Sequence, residues 1–365
     1  MVKAHSYLNK IANYIPGISK IKGAEKIIKL SSNENALECS NKAIDSYKKH
    51  SHQLFRYADG SCNKLRQAIA NKHNINSEQI VCGAGSDEII SLITLAFAGI
   101  GDEIIYSEHG FLMYPISANK VGANATKAKE INLKTNIRAV LEEITEKTKI
   151  IFIANPNNPT GSYLNQNELQ ELLDKVPPYI LLVLDNAYEE FVTAEDYPQS
   201  LNLIKKYPNL IITKTFSKIY GLASLRLGWS YSSLEIATIL NKVRGPFNVG
   251  GPAQYSAIEA LSDDEFITNS ISHNNKWLKI FFTEIAKFNN IKAHPSVANF
   301  ILLDFSHPEI CQKANEILLQ NNIILREMTA YNLPQCLRMT IGKDCENEEL
   351  LKILTKIDNS INDLQ

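Results

Sequence analysis

A lysine that follows an apolar segment has the most distinctive chemistry in this chain. Residues 209–213 predict a buried strand, and Lys218 comes shortly after it, beside the hydroxyls of Thr215 and Ser217 and ahead of Arg226. A lysine amine can form a Schiff base with an aldehyde, and a guanidinium binds phosphate through two parallel donors. Together these groups suit pyridoxal phosphate (PLP). Alone, the segment also fits a loop with a surface lysine and a structural arginine.

Two other polar residues stand at the ends of predicted strands. Segments 149–154, 179–184 and 210–212 are continuously apolar, which is typical of a parallel sheet covered on both faces by helices. Asn158 and Asp185 follow the first two segments as Lys218 follows the third. Because ligands bind beyond the carboxyl ends of such strands, we expect these three side chains to form one site.

The types of these residues match the needs of a pyridine ring. An aspartate such as Asp185 would keep the ring nitrogen protonated, and Asn158 and Tyr188 would donate to its phenolic oxygen. Phe111 could stack on one face of the ring. Each also has a structural interpretation: Asp185 as a helix cap, Asn158 as a turn residue, and both aromatic residues as core.

Glycines precede the predicted helix that follows residues 80–82. In Gly83-Ala-Gly85-Ser86-Asp87-Glu88 they would free the first helix amides to bind an anion. A serine helix cap explains the same pattern. The motif is not G-x-G-x-x-G, so no dinucleotide is predicted.

Composition and charge exclude several classes of protein. The net charge of −1 provides no positive field that would attract nucleic acid or an anionic membrane. No apolar segment reaches the length of a membrane span. The N-terminal residues lack a signal-peptide pattern, and the six cysteines are dispersed with no metal-ligand spacing. We therefore expect a cytoplasmic protein with reduced thiols, no metal site, and small molecules as ligands.

The order of the predicted elements indicates three regions. Residues 1–34 are predicted to form an N-terminal arm, and residues 35–263 a large α/β domain. A long helix that begins near residue 264 leads into a small α+β domain, residues 264–365. In the small domain we predict strands at 299–305, 323–326 and 335–341 and helices at 308–321 and 347–361.

The chain resembles the fold type I, class II PLP-dependent aminotransferases, and among them the histidinol-phosphate aminotransferase family. The resemblance implies a large domain with a mostly parallel seven-stranded sheet, a small C-terminal domain and an N-terminal arm. The matching motifs extend over nearly the whole chain in family order: Tyr14-Ile-Pro-Gly17, Leu30-Ser-Ser-Asn-Glu-Asn35, Arg56-Tyr57-Ala-Asp-Gly60, Gly83-Ala-Gly-Ser-Asp-Glu88, Asn155-Pro-Asn-Asn-Pro-Thr-Gly161, Asp185-Asn-Ala-Tyr188, Thr215-Phe-Ser-Lys218 through Gly228, and Leu337-Arg338-Met-Thr-Ile-Gly342.

The resemblance also implies roles for individual residues. Lys218 would bind PLP covalently and move the proton between the substrate α-carbon and the cofactor, while Asp185 pairs with the ring nitrogen. The cofactor phosphate would be held by Gly85, Ser86, Asp87, Thr215, Ser217 and Arg226.

Further roles concern the substrate and a second subunit. Arg338, Arg326 and Asn158 would bind the substrate, and Tyr14 of the arm would close over it. Tyr57 would reach the cofactor phosphate of the neighbouring subunit, which implies a homodimer with shared sites.

The resemblance favours transamination between L-histidinol phosphate and 2-oxoglutarate, a step of histidine biosynthesis. An aminotransferase for phenylalanine, tyrosine or prephenate is the first alternative, because residues 326–334 resemble that branch. A decarboxylase similar to threonine-phosphate decarboxylase is the second. A PLP-binding regulatory domain is a remote third, because no helix-turn-helix or basic segment is present.

Overall fold

The computed structural model describes residues 2–11, 18, 20–21, 23 and 26–361. Its helices are α1 (Asn41–His50), α2 (Asn63–His73), α3 (Ser86–Phe97), α4 (Met113–Lys120), α5 (Ile137–Glu142), α6 (Gln166–Lys175), α7 (Leu234–Val243), α8 (Gly251–Leu261), α9 (Asp264–Ile285), α10 (Pro308–Gln320) and α11 (Asp344–Ile361). Its strands are β1 (Ile28–Lys29), β2 (Ile80–Gly83), β3 (Glu103–Ser107), β4 (Asn124–Ala128), β5 (Glu130–Ile131), β6 (Lys134–Thr135), β7 (Thr148–Ala154), β8 (Leu181–Asp185), β9 (Leu210–Thr215), β10 (Gly228–Tyr231), β11 (Lys292–Ala293), β12 (Phe300–Asp304), β13 (Ile323–Ile324), β14 (Arg326–Glu327) and β15 (Cys336–Thr340).

A seven-stranded sheet forms the centre of the larger part of the chain. Its order is β2-β10-β9-β8-β7-β3-β4, and β10 runs antiparallel to both of its neighbours while the other pairs are parallel. The fold class and the mostly parallel sheet are thus as predicted. Strands β7, β8 and β9 match the predicted segments, with ends that move by one to three residues.

Both faces of this sheet are covered by helices. Side chains of β7 alternate between two cores: Ile150 and Phe152 pack with α3, α4 and α7, while Ile151 and Ile153 pack with α1, α2, α6 and α8. A strand that is buried on both faces needs apolar residues at every position, which explains its continuous apolar sequence. The polar residues that follow these strands therefore lie at one exposed edge.

A smaller antiparallel sheet, with the order β11-β12-β15-β14, packs against α9, α10 and α11. The end of the predicted arm takes part in this region, because β1 pairs with β13 and Leu30 is buried in the same core. Residues Ser31–Glu34 then pass from this core towards the larger sheet.

Several predicted boundaries were wrong. The predicted strand 323–326 is two short strands, because β13 pairs with β1 whereas β14 pairs with β15. The Asp59-Gly60 turn predicts a helix over residues 61–73, but helix α2 begins at Asn63, since the Asp59 carboxylate accepts from the amides of both Ser61 and Asn63 and holds a turn there. Helix α11 begins at Asp344, three residues before its predicted start.

The cysteines bear on the predicted compartment. All six cysteines are free thiols, and four of them are buried. Within the described chain, no helix combines the length and apolar character that a bilayer crossing requires.

Candidate functional site

A cavity of about 490 Å³ opens at the carboxyl ends of β7, β8 and β9. It lies where the larger sheet meets the smaller one, and the segment 31–34 forms part of its wall. Most side chains selected from the sequence are brought together here: Ser86, Asp87, Phe111, Asn158, Asp185, Tyr188, Thr215, Ser217, Lys218, Arg226, Arg326 and Arg338.

Asp185, the last residue of β8, is the buried carboxylate of the cavity, with 4% of its surface exposed. Its oxygens accept hydrogen bonds from Tyr114 Oη at 2.9 Å and Thr213 Oγ1 at 3.1 Å. Burial raises the pKa of Asp185 to about 6, although these hydroxyls act in the opposite direction. No ion pair with Asp185 occurs among the described residues, so a cation that enters the cavity would find an uncompensated negative partner.

Lys218 lies on the loop after β9, half-buried, and its Nζ donates to the Ser32 carbonyl at 3.2 Å. Its ammonium also sits over the Tyr188 ring, 5.6 Å from the centroid. Burial, followed by the positive charge of Arg338, lowers the pKa of Lys218 to about 8. A substantial fraction of the amine is therefore neutral and nucleophilic at slightly alkaline pH.

A cradle for an anion adjoins the lysine. Arg226 Nη1 donates to Ser217 Oγ at 3.2 Å, and its Nη2 pairs with Asp87 Oδ2 at 3.3 Å. Gly85 precedes the first turn of α3 with φ 86°, and a Cβ there would lie 2.5 Å from Arg226 Nη2. The backbone thus approaches the guanidinium as only glycine permits, at the N-terminus of a helix, where backbone amides can bind an anion.

Tyr188 and Asn158 line the same cavity, and Arg338 contacts Asn158. Arg338 Nη1 donates to Asn158 Oδ1, and its Nη2 donates to the Ser31 carbonyl at 2.9 Å. The guanidinium also sits over the Phe300 ring, 5.4 Å from its centroid. Arg338 is 6% exposed, so its charge is directed into the cavity and not into bulk solvent.

Two predicted residues stand apart from this group. Tyr57 is 85% exposed and stacks on Phe247 at 4.7 Å, outside the cavity. Tyr14 lies outside the described residues.

Among the residues that line or support the cavity without a functional prediction from the sequence, those with polar groups at the site are Tyr114, Thr213, Tyr331 and the segment 31–34. Tyr114 looks like an ordinary aromatic residue of a helix, and only the fold places its hydroxyl against Asp185. The polar run of residues 31–35 was the one available signal.

The residues present fit PLP on the chemistry of their side chains. A protonated pyridine nitrogen would supply the cation that the buried carboxylate of Asp185 lacks, and the cradle of Gly85 and Arg226 suits a phosphate. The amine of Lys218, with its lowered pKa, suits an aldehyde. The cavity volume is within the usual range for a small-molecule site.

A second group, His294, Asp304 and Cys336, has side-chain ligand atoms within 4.8 Å of one another on the smaller sheet. These three residues are dispersed along the chain, so the sequence did not predict that they form a group. Burial raises the pKa of the Cys336 thiol, which disfavours the thiolate that a metal would need. We assign no metal role to this group.

The fold and the site together define a class of enzyme. The family model "Aminotransferase class I and II" matches residues 25–356, so the chain belongs to that family. Relatives indicate the particular group within it. The chain is 41% identical over 345 residues to the histidinol-phosphate aminotransferase of Rhodospirillum centenum, covering 94% of this chain and 95% of that protein. It is 42% identical over 349 residues to the corresponding protein of Maricaulis maris, covering 94% and 96%.

These matches make the chain a member of the histidinol-phosphate aminotransferase family, which confirms the resemblance seen in the motifs. Among solved structures, the histidinol-phosphate aminotransferase of Sinorhizobium meliloti, determined in complex with pyridoxal-5'-phosphate, shares the fold with a TM-score of 0.87. It is 23% identical and covers 92% of each chain. Membership of an aminotransferase family supports PLP as the cofactor.

Proposed function

We propose that this protein is a PLP-dependent transaminase that transfers the amino group of L-histidinol phosphate to 2-oxoglutarate. The observation that carries the proposal is the meeting of Lys218, Asp185, Arg326 and Arg338 in one cavity of a chain from this family. When bound, PLP supplies an aldehyde for the amino group and a ring that withdraws electrons from the substrate α-carbon.

The protein supplies charge, orientation and proton transfer. Asp185 would hold the proton on the pyridine nitrogen, because its burial makes an ion pair there strongly preferable to a lone carboxylate. The Gly85–Arg226 cradle would hold the phosphate. Lys218 would bind the aldehyde carbon and, once released, its neutral amine would take the proton from the substrate α-carbon.

Two guanidinium groups support an anionic substrate. Arg338 is buried between Asn158 and the Ser31 carbonyl, and Arg326 lines the same cavity. A fork of donors fits the phosphate of histidinol phosphate as well as a carboxylate of 2-oxoglutarate. One site could therefore accept both substrates in turn.

Steady-state kinetics test the substrate assignment. We expect kcat/KM for L-histidinol phosphate to exceed that for phenylalanine by at least tenfold, or about 1.4 kcal/mol of transition-state binding. A tenfold preference for phenylalanine would establish the aromatic alternative instead. Glutamate should form in step with substrate loss, whereas release of CO2 without any need for 2-oxoglutarate would indicate a decarboxylase.

We further propose a homodimer that acts in the cytoplasm. The free thiols agree with a reducing compartment. An exposed apolar patch formed by Leu54, Phe55, Tyr57 and Phe247 is the surface that a second copy would cover, with exposures between 46% and 85%. A dimer would bring Tyr57 to the neighbouring cradle.

Mixing two impaired variants tests the shared site. Tyr57→Phe and Lys218→Ala subunits, combined after mild denaturation, should regain part of the wild-type activity, because one of the two sites in a heterodimer is then intact. Confirmed heterodimers with no regain of activity would contradict sharing, and a monomer in light scattering would contradict the dimer itself.

A further inference from the structure

The segment Ser31–Glu34 contacts the cavity residues in succession, and the proposed function gives it no task. The Ser31 carbonyl accepts from Arg338 at 2.9 Å, and the Ser32 carbonyl accepts from Lys218 at 3.2 Å. Asn33 Nδ2 donates to Tyr188 Oη at 3.0 Å. Consecutive residues therefore touch the substrate-binding arginine, the reactive amine and the phenol.

Asn33 is the most constrained residue of the segment. It is 1% exposed, and its φ of 54° lies in the left-handed region, which asparagine and glycine tolerate best. Its carbonyl also accepts from Asn299 Nδ2 at 3.3 Å. The backbone is thus fixed from both sides, which leaves the side chain a defined position.

The partners of Asn33 fix which way its side-chain amide faces. The Asn33 backbone N–H donates to Thr340 Oγ1 at 2.9 Å, and the Thr340 hydroxyl donates to Asn33 Oδ1 at 3.0 Å. The reversed amide would direct Nδ2, and no longer the acceptor Oδ1, at the Thr340 hydroxyl. It would also leave the Thr340 proton with no other acceptor seen among the described residues. Consequently Nδ2 faces Tyr188.

This orientation determines what Tyr188 can do. Because Tyr188 Oη accepts from Asn33, the hydroxyl's own proton must point away from Asn33, and Tyr188 is itself one of the residues that line the cavity. We propose that Asn33 is a positioning residue that aims the Tyr188 hydroxyl proton into the cavity and so makes Tyr188 a donor to the phenolic oxygen of the cofactor.

Electrostatics agree with this assignment. Burial raises the pKa of Tyr188, while the charge of Arg338 and the hydrogen bond from Asn33 act to lower it. A phenol whose oxygen accepts a hydrogen bond is also a stronger donor of its own proton. Thr340 lies two residues after Arg338 on β15, so the same contact ties the Tyr188 geometry to the strand that holds the substrate arginine.

A double-mutant cycle on PLP affinity tests the inference, which rests on the proposed function. Asn33→Gly keeps the left-handed backbone and removes the donor. We expect it to weaken PLP binding to the apoprotein by about three- to tenfold, the effect of one hydrogen bond. In a Tyr188→Phe background the same change should cost less than about twofold, because the group it acts through is already absent.

The possible outcomes distinguish a failure of the role assigned to Asn33 from a failure of the proposed function. Equal losses in both backgrounds, or wild-type affinity of Asn33→Gly, would overturn the role of Asn33. A wild-type protein that does not bind PLP at all would overturn the proposed function instead. Asn74→Gly is the matched control, an exposed left-handed asparagine (φ 53°) at the end of α2, and should bind PLP with unchanged affinity.

Asn33→Asp is the second variant, to be used if the glycine variant does not fold. It keeps the size and the acceptor for Thr340 but cannot donate when ionised, so the Tyr188 proton would turn towards the carboxylate and away from the cavity. We expect PLP affinity to fall at least as far as in Asn33→Gly, and again only in the presence of the Tyr188 hydroxyl. Unchanged affinity, or a loss that persists in Tyr188→Phe, would overturn the inference.

Discussion

Replacing Asp185 by asparagine should stabilise the protein without its cofactor while impairing the holoenzyme. The carboxyl is buried, the side chains that donate to it within the described part of the chain are two neutral hydroxyls, and its pKa is raised from 3.8 to about 6. The folded state therefore holds the Asp185 proton more tightly than the unfolded state. The contribution of the protonated Asp185 carboxyl to folding stability is fully present below about pH 4. It is lost as the pH rises through about 6.

The size of the effect follows from the two pKa values. The pKa of Asp185 is about two units higher in the folded than in the unfolded state. At pH 8 this difference lowers the free energy of unfolding by about 3 kcal/mol. Asparagine has the same shape, can keep the hydrogen bonds to Tyr114 and Thr213, and carries no charge. The apoprotein of Asp185→Asn should therefore unfold with a free energy about 3 kcal/mol higher than the wild type at pH 8, and with a difference below about 1 kcal/mol at pH 4.

Urea unfolding of both apoproteins at a series of pH values measures this difference. Saturating PLP should reverse the order, because only the wild-type carboxylate gains a partner in the ring nitrogen. Asp174→Asn is the control: its exposed carboxylate has a pKa lowered to about 2, chiefly by the Tyr207 hydroxyl, so its loss cannot stabilise the protein at pH 8. A pH-independent difference for Asp185→Asn would refute the reasoning.

The remaining predictions concern the cradle, the substrate arginine and the lysine. Gly85→Ala should weaken PLP binding at least tenfold, because its Cβ would displace the Arg226 guanidinium; Gly101→Ala, with a similar φ of 92° but open space around it, should leave PLP affinity unchanged. Arg338→Lys should raise KM for both anionic substrates about tenfold with little change in kcat, because a two-pronged donor becomes a point charge. KM values equal to those of the wild type would contradict the role of Arg338. The rate of PLP capture by the apoprotein should rise with pH through about 8, as Lys218 loses its proton, and a flat profile between pH 7 and 9 would argue against its lowered pKa.

Those parts of the fold that are buried on both sides could be predicted from the sequence. The segments that became β7, β8 and β9 are continuously apolar, and this fixed both their type and the edge where Asn158, Asp185 and Lys218 meet. Strand β4 (Asn124–Ala128) was missed because it is an edge strand with polar, partly exposed residues. Strand β10 was missed because it is only four residues long and follows the arginine loop closely.

The site was predictable to the extent that it lies on those strand ends. Residues whose role depends on distant partners were not. Asn33 contacts Tyr188 and Thr340, which are 155 and 307 residues away along the chain. These contacts depend on a backbone conformation that the sequence does not predict. The hydroxyl of Tyr114 reaches Asp185 only because α4 packs against the sheet.

Reduction with borohydride tests whether Lys218 binds PLP covalently. The holoenzyme is treated with the reductant, digested, and its peptides are weighed by mass spectrometry. We expect the mass of the reduced cofactor on the peptide containing Lys218, and on no peptide in a Lys218→Ala sample. Absence of that mass from wild-type protein saturated with PLP, or its presence on a different lysine, would rule out Lys218 as the residue that binds the cofactor.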